Sequence, residues 1–271
     1  MQPNYADVIT LAKEAGSAIL EIYNRSQYTV VEKLDASPLT EADIAAHNIL
    51  EAGLRKIKDI PVISEESDVP SKEERDSWDQ FWLIDPLDGT KEFIDRNGEF
   101  TINIALIQNH EPIFGLIYAP VTDETFYGGN DKAYCIRGTQ APTLLKASSP
   151  STQVREHKHI RVFGSRRHAT EQLEVLCDHL RERLSQVELI SVGSALKLAY
   201  LADGQAEIYP RFGNVSEWDI AAGHAILKCV GGDILTRQYE PLRYGDKPSV
   251  IVPGFIALGS VDYDWRPLLL S

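Results

Sequence analysis

Two aspartates three residues apart, Asp85 and Asp88, end an apolar run in Trp82-Leu83-Ile84-Asp85-Pro86-Leu87-Asp88-Gly89-Thr90. Hard divalent cations take oxygen ligands, and Mg²⁺ in particular combines a few carboxylates with waters and phosphate oxygens. Asp85 and Asp88 supply carboxylates at a point where a strand-like segment gives way to a turn. Pro86 lacks a donor and fixes its own φ, and Gly89 permits backbone geometry closed to other residues. The Leu87 carbonyl is then placed to join the coordination, and the amides of Gly89 and Thr90 to face an anion. A buried-type strand is an unfavourable place for uncompensated charge. The nonapeptide therefore points to metal-dependent phosphate chemistry.

Other acids sit where elements end. Glu65 follows the short apolar run Ile60-Pro61-Val62-Ile63-Ser64, and Asp219 opens the helical stretch Trp218–Val230. Each has a plainer alternative. Glu65-Glu66 could be a solvated pair after an edge strand, and Asp219 could offset a helix dipole. Asp43 could be the third position of a Thr40-x-x-Asp43 capping box. Asp88-Gly89 is a common turn dipeptide.

The elements that would carry these side chains are set by periodicity. Val8, Ala12, Ala15, Ile19 and Ile22 recur at helical spacing and predict a helix over Val8–Tyr23, and a second helix runs from Thr40 to about Leu54. Strands are predicted at Ile60–Ser64, Phe81–Ile84, Thr101–Ile107 and Ile113–Tyr118, with two shorter ones flanking Gly128-Gly129-Asn130-Asp131. The polar stretch Ala147–Lys158 is the candidate boundary between residues 1–150 and 151–271. Beyond it strand and helix alternate: Ile160–Phe163, Thr170–Leu184, Val187–Ser191, Ser194–Ala202, Glu207–Tyr209 and Trp218–Val230, with further strands near Ile234 and around Phe255–Leu258. A hairpin-rich first half thus precedes an α/β second half.

Composition narrows the partners. At 271 residues, 43% hydrophobic and 25% charged, the chain can bury a substantial core. Its formal net charge of −13 disfavours nucleic-acid binding and makes a phosphorylated substrate awkward unless cations bridge it to the protein. The three cysteines are scattered without a C-x-x-C pair, which suggests a reducing, cytoplasmic setting rather than a disulfide framework. The start lacks the basic region and apolar block of a signal peptide, and no apolar run reaches the roughly 18 residues of a membrane span. A soluble protein is expected.

In combination and in order, Glu65-Glu66, Asp85–Thr90 and Trp218-Asp219 with Gly223 resemble the signature of the inositol monophosphatase superfamily, magnesium-dependent and lithium-sensitive phosphomonoesterases. The similarity covers essentially the whole chain, from Lys33 and Asp43 to the C-terminal strands. It implies a mixed α+β, layered αβαβα sugar-phosphatase fold. The first half would be the metal-binding part, and the second would add substrate recognition and one metal ligand. Two or three Mg²⁺ ions are implied: one held by Glu65, Asp85 and the Leu87 carbonyl, another by Asp85, Asp88 and Asp219. Thr90, with Glu65 and Asp43, would orient an attacking water, and the amides of Gly89 and Thr90 would meet the phosphoryl oxygens.

Within that superfamily, Gly193-Ser194-Ala195-Leu196-Lys197, Gly204–Arg211 and Glu217-Trp218-Asp219 resemble the CysQ-type 3'(2'),5'-bisphosphate nucleotidases, as does Gly164-Ser165-Arg166-Arg167-His168. This chain has Gly213-Asn214-Val215 where those enzymes read G-P-T, and Arg167 where a small residue precedes the histidine. The resemblance implies removal of the 3'-phosphate of adenosine 3',5'-bisphosphate, a by-product of sulfur metabolism. His168, Ser194, Lys197 and Arg211 would recognise the substrate beside Asp88, Gly89, Thr90 and Asp219. Ser194 and Lys197 at i, i+3 would share a helix face, and Arg211 would offer a planar fork to a phosphate. On the plain reading, Lys197 is a solvated helix lysine and Arg211 a surface charge. An inositol or sugar phosphatase is the other enzymatic reading, and a catalytically idle metal- or phosphate-binding regulator the non-enzymatic one. The resemblance also allows peripheral association with the cytoplasmic face of an inner membrane.

Overall fold

The structure, a computed structural model, describes residues 3–32, 38–146, 159–165 and 171–269. The proposed boundary at residues 147–158 lies outside the described residues, as do Lys33 and His168.

Helix α1 (Tyr5–Tyr23) starts ahead of its apolar pattern because the Asn4 side chain accepts the Ala6 amide at 3.2 Å. A hairpin of β1 (Val30–Glu32) and β2 (Pro38–Thr40) comes next, then α2 (Glu41–Ile57). Thr40 and Asp43 form the expected capping box on α2. Strands β3 (Val62–Ser64), β4 (Gln80–Asp88), β5 (Thr101–Gln108), β6 (Glu111–Ala119), β7 (Glu124–Gly129), β8 (Lys132–Arg137) and β9 (Thr143–Leu144) form a 7-stranded sheet in chain order. Its first pair is parallel and the rest antiparallel. Two short helices, α3 (Lys72–Arg75) and α4 (Thr90–Ile94), flank β4.

The second half supplies β10 (His159–Ser165), α5 (Glu171–Arg181), β11 (Gln186–Val192), α6 (Leu196–Ala202), β12 (Ile208–Arg211), β13 (Val215–Ser216), α7 (Glu217–Cys229), β14 (Asp233–Leu235), β15 (Ile251–Val252), β16 (Phe255–Leu258) and α8 (Arg266–Leu269). A 5-stranded sheet runs in the order β11-β10-β12-β16-β14.

Alternation along the strands decides what faces what. Trp82 and Ile84 of β4, with Ile102, Ile104 and Leu106 of β5, pack under α1 and α2. Phe81, Leu83, Ala105 and Ile107 point the other way, onto α6, α7 and the Tyr209, Phe255 and Ala257 side of the second sheet. A third cluster joins Ile160, Val162, Ile208 and Leu258 to Leu173, Cys177 and Leu180 of α5 and Leu268 of α8. Three apolar clusters therefore join five layers, helices and sheets in turn, the central cluster filling both faces of the α6–α7 layer, which is the expected αβαβα architecture. By the same period of two, Asp85 and its cross-strand partner Asn103 fall on the inner face.

Two local expectations are corrected. Strand β4 does not stop at Ile84 but runs on to Asp88, with a bulge between Asp85 and Asp88, because pairing with β5 resumes at Asp88 opposite Thr101. Ser194 does not share a helix face with Lys197: it stands ahead of α6 with φ +44°.

Helix α7 lies directly on the first sheet. A methyl group at Gly115 of β6 would meet the Ala222 carbonyl oxygen at 2.1 Å. Backbone cannot yield as a flexible side-chain end can, so α7 would have to lift. Gly115→Ala is expected to lower stability by about 1–3 kcal/mol, read from urea unfolding curves with unchanged slope.

Candidate active site

The inner ends of β3, β4 and α7 meet in one cleft of about 260 Å³. Its walls include Glu65, Asp85, Leu87, Asp88, Gly89, Thr90, Ser194, Lys197, Arg211 and Asp219. Sequence positions from both halves of the chain are thus brought to one place.

Glu65, Asp85 and Asp219 each direct a carboxylate oxygen to a point where these atoms lie within 4.8 Å of one another. Three negative groups this close, one of them only 1% exposed, repel strongly unless a cation or protons sit among them. Burial, followed by the charges of Glu65, Asp88 and Asp219, holds the Asp85 carboxyl well above the usual carboxylate range. Asp219 is raised likewise, first by burial and then by Asp88 and Glu65. Asp88 is pushed up to about 6 by desolvation and by Glu65, against the opposing pull of Lys197, the Ala195 amide and Asn103. An all-oxygen donor set with excess negative charge fits a hard divalent cation.

Each acid is held by local structure. Asp85 Oδ1 accepts the Leu87 amide at 3.0 Å, which curls the bulge. Asp88 Oδ2 accepts the Ala195 amide from the second half and is approached by Asn103 Nδ2 at 3.5 Å. Asp219 is the third residue of a capping box on α7, and its Oδ2 accepts the Ser216 amide at 2.8 Å. Asp43 does the same on α2, taking the Thr40 amide at 2.8 Å and the Thr40 hydroxyl at 2.6 Å. The capping box expected of Asp43 is present, Asp219 caps its helix as well, where the plain alternative is only an offset of the helix dipole, and each keeps a second oxygen. For Asp43 that oxygen accepts the Thr90 hydroxyl at 3.2 Å. Asp43 itself does not line the cleft but lies behind Thr90, buried. Gly89 has φ +96° and turns the chain into α4, which places Thr90 at the first position of that helix.

The cationic side of the cleft differs from the plain reading. Lys197 is only 4% exposed, not a solvated helix lysine. Its ammonium donates to the carbonyls of Val192 at 3.0 Å and Ser194 at 2.7 Å and lies 5.3 Å from the Tyr209 ring centroid. Burial lowers it to about 8, against the attraction of Asp88. Arg211 is half-buried and donates to the Asn214 carbonyl at 3.2 Å, so the Gly213-Asn214-Val215 turn orients its fork.

Tyr209, Phe255, Val215, Ile220 and Lys91 also line the cleft, although sequence reasoning assigns them no role in the site. Phe255 and Tyr209 belong to paired strands and stack edge to face at 5.2 Å. Only strand pairing between distant segments reveals that, and no local pattern announces it.

Comparison with known proteins agrees with this geometry. The sequence profile of the Inositol monophosphatase family matches residues 1–261, and the chain belongs to that family, a family of metal-dependent phosphatases. The 3'(2'),5'-bisphosphate nucleotidase CysQ of Escherichia coli is 44% identical over 250 residues, spanning 92% of this chain and 96% of the relative. The protein of the same name from Haemophilus influenzae is 33% identical over 266 residues, 96% of this chain and 94% of the relative. Among solved structures, CysQ from Bacteroides thetaiotaomicron is 38% identical with a TM-score of 0.81, covering 93% of this chain and 96% of that one. An inositol monophosphatase from Thermotoga maritima, at 21% identity, TM-score 0.72 and coverage of 93% and 91%, shares the fold.

The raised carboxyls give the cleft a definite pH response. Folded protein without cation binds protons at Asp85, Asp88 and Asp219 more tightly than the unfolded chain, so these groups favour the fold most below about pH 4. That contribution is lost as pH rises through about 6 for Asp88 and through the likewise raised pKa values of the other two. A divalent cation must displace the same protons. The rise in Tm produced by saturating Mg²⁺ is therefore expected to be larger at pH 7.5 than at pH 5.5 by differential scanning fluorimetry.

Proposed function

We propose that the protein is a magnesium-dependent phosphomonoesterase that hydrolyses the 3'-phosphate of adenosine 3',5'-bisphosphate to give AMP and phosphate. The observation that carries this reading is the pairing of opposite charge sets in one cleft. A carboxylate cage faces Lys197 and Arg211, so a substrate with two phosphates meets both. Full-length similarity to the 3'(2'),5'-bisphosphate nucleotidases supports the same choice.

Glu65, Asp85 and the Leu87 carbonyl would hold one Mg²⁺, and Asp85, Asp88 and Asp219 a second. When bound, magnesium neutralises phosphate charge, polarises phosphorus and acidifies a neighbouring water. The chain's own groups direct the attack. The Thr90 hydroxyl donates to Asp43 at 3.2 Å, with the Leu87 carbonyl also near at 3.4 Å, so its Oγ1 accepts a hydrogen bond from water and relays a proton by passing its own to the Asp43 carboxylate. Glu65, across the cleft, shares that work as a general base. The amides of Gly89 and Thr90 face the phosphoryl oxygens and stabilise their growing charge. Arg211 and Lys197 take the phosphate that is not cleaved and thereby fix which ester bond faces Thr90. Ser194 and Asp219 close the substrate wall, and His168 is assigned to the nucleoside on sequence grounds. Among the described residues no helix is long and apolar enough to cross a membrane. A cytoplasmic setting accords with the nucleotide substrate.

Asp88→Asn is expected to fold with an unchanged circular dichroism spectrum while losing at least about 100-fold in kcat. Removal of one ligand charge is the cause, and a variant with near-normal turnover would overturn the cation cage as the seat of chemistry. Direct attack by water requires that hydrolysis in ¹⁸O-water put label into phosphate in the first turnover with inversion at phosphorus; retention would point to a phosphoenzyme. Substrate choice is read from kcat/KM on adenosine 3',5'-bisphosphate against inositol 1-phosphate. The nucleotide is expected to be favoured at least about 100-fold, since an unmatched Lys197 and Arg211 remain when the second phosphate is missing.

A further inference from the structure

Glu99 takes no part in the chemistry above, yet both turns that carry the site close upon it. Its backbone oxygen lies 3.1 Å from where a Cβ at Gly89 would stand. Its own Cβ and Oε2 lie 2.9 and 2.8 Å from where a Cβ at Gly193 would stand. Its carboxylate accepts the Gly193 amide at 2.8 Å across 94 residues of chain. The turn beyond Gly193 depends on that anchor. Ser194 adopts φ +44° and its hydroxyl meets Thr101 Oγ1 at 3.3 Å. The next amide, Ala195, is the one bonded to Asp88, and the Val192 and Ser194 carbonyls hold the Lys197 ammonium.

We propose that Glu99 is a positioning residue: by holding the Gly193 amide it sets the 193–195 turn, through which it orients both Asp88 toward the cation and Lys197 toward the substrate phosphate. Without the anchor, a left-handed serine has little reason to keep its conformation, because αL is unfavourable for residues other than glycine. The Ala195 amide then leaves Asp88, and the two binding functions weaken together.

The inference about Lys197 rests on the nucleotidase reading, whereas the inference about Asp88 does not, and the experiment separates them. Purified full-length variants Glu99→Ala, Glu99→Asp and Glu99→Gln are titrated with Mg²⁺ in the absence of substrate, with the shift in Tm as readout. Glu99→Ala is expected to raise the half-saturating Mg²⁺ concentration about 10-fold, the usual scale for loss of a group that orients a ligand. Glu99→Asp keeps the charge but falls short of Gly193, and it is expected to behave as Glu99→Ala does. Glu99→Gln still presents an acceptor at the right reach and is expected to stay within about threefold of the parent. On adenosine 3',5'-bisphosphate, Glu99→Ala should raise KM by a larger factor than it lowers kcat, and Glu99→Gln should restore it. An unchanged Mg²⁺ half-point in both the alanine and aspartate variants overturns the proposal. So does a glutamine variant as impaired as alanine, since charge rather than reach would then be at work.

Discussion

The protein rests on holding together acids that repel. Glu65, Asp85 and Asp219 come from three elements, and nothing in their own chemistry favours their meeting. The fold supplies the force: β4 is buried on both faces, α7 is pressed backbone to backbone on β6 at Gly115, and the central apolar cluster joins both sheets. Hydrophobic burial of that extent offsets the desolvation of a few carboxylates. The same burial raises the affinity of Asp85 and Asp219 for protons, and a divalent cation among the three carboxylates would offset their mutual repulsion.

The cleft is equally a joint between the two sheets. Asp88 from the first half takes an amide from Ala195 in the second, and Glu99 takes one from Gly193. Glu124 reaches Tyr200 of α6 at 3.1 Å, and Arg137 reaches Asp203 at the end of that helix at 2.7 Å. Helix α6 is thus tied to the first sheet at both ends, so the lysine it carries is registered against the carboxylates as well as against the second sheet, where it meets Val192 and Tyr209. Such registration matters because an ångström of misplacement between two phosphate-binding groups is enough to spoil alignment of the scissile bond.

Much of this was legible in the residues. The helices and strands that frame the cleft fall where periodicity places them, because long amphipathic segments such as α1 and alternating strands such as β5 carry their partners' geometry in their pattern. The carboxylate cage was legible because acid residues at the ends of apolar runs are conspicuous. The illegible part depends on contacts distant in sequence. The continuation of β4 through Pro86 is set by pairing with β5, not by local propensity. Ser194 lies outside α6 because its turn is anchored to the first half. The burial of Lys197 is caused by Tyr209 and the carbonyls beneath it, and a lysine four positions into a helical stretch gives no hint of that. The aromatic wall of Tyr209 and Phe255 exists only once β12 and β16 are side by side.

Asp43 and Asp219 each divide their two oxygens between a helix terminus and the reaction centre. Selection for a sturdy fold and selection for turnover therefore act on the same atoms at these two positions. A descendant that had abandoned hydrolysis for some other role would still be penalised for losing either aspartate, because the first turn of α2 or α7 would fray. Retention of these acids in a distant homologue is consequently poor testimony that it remains an enzyme. Glu65, which stands after a strand and begins no helix, is the position whose erosion would report the loss.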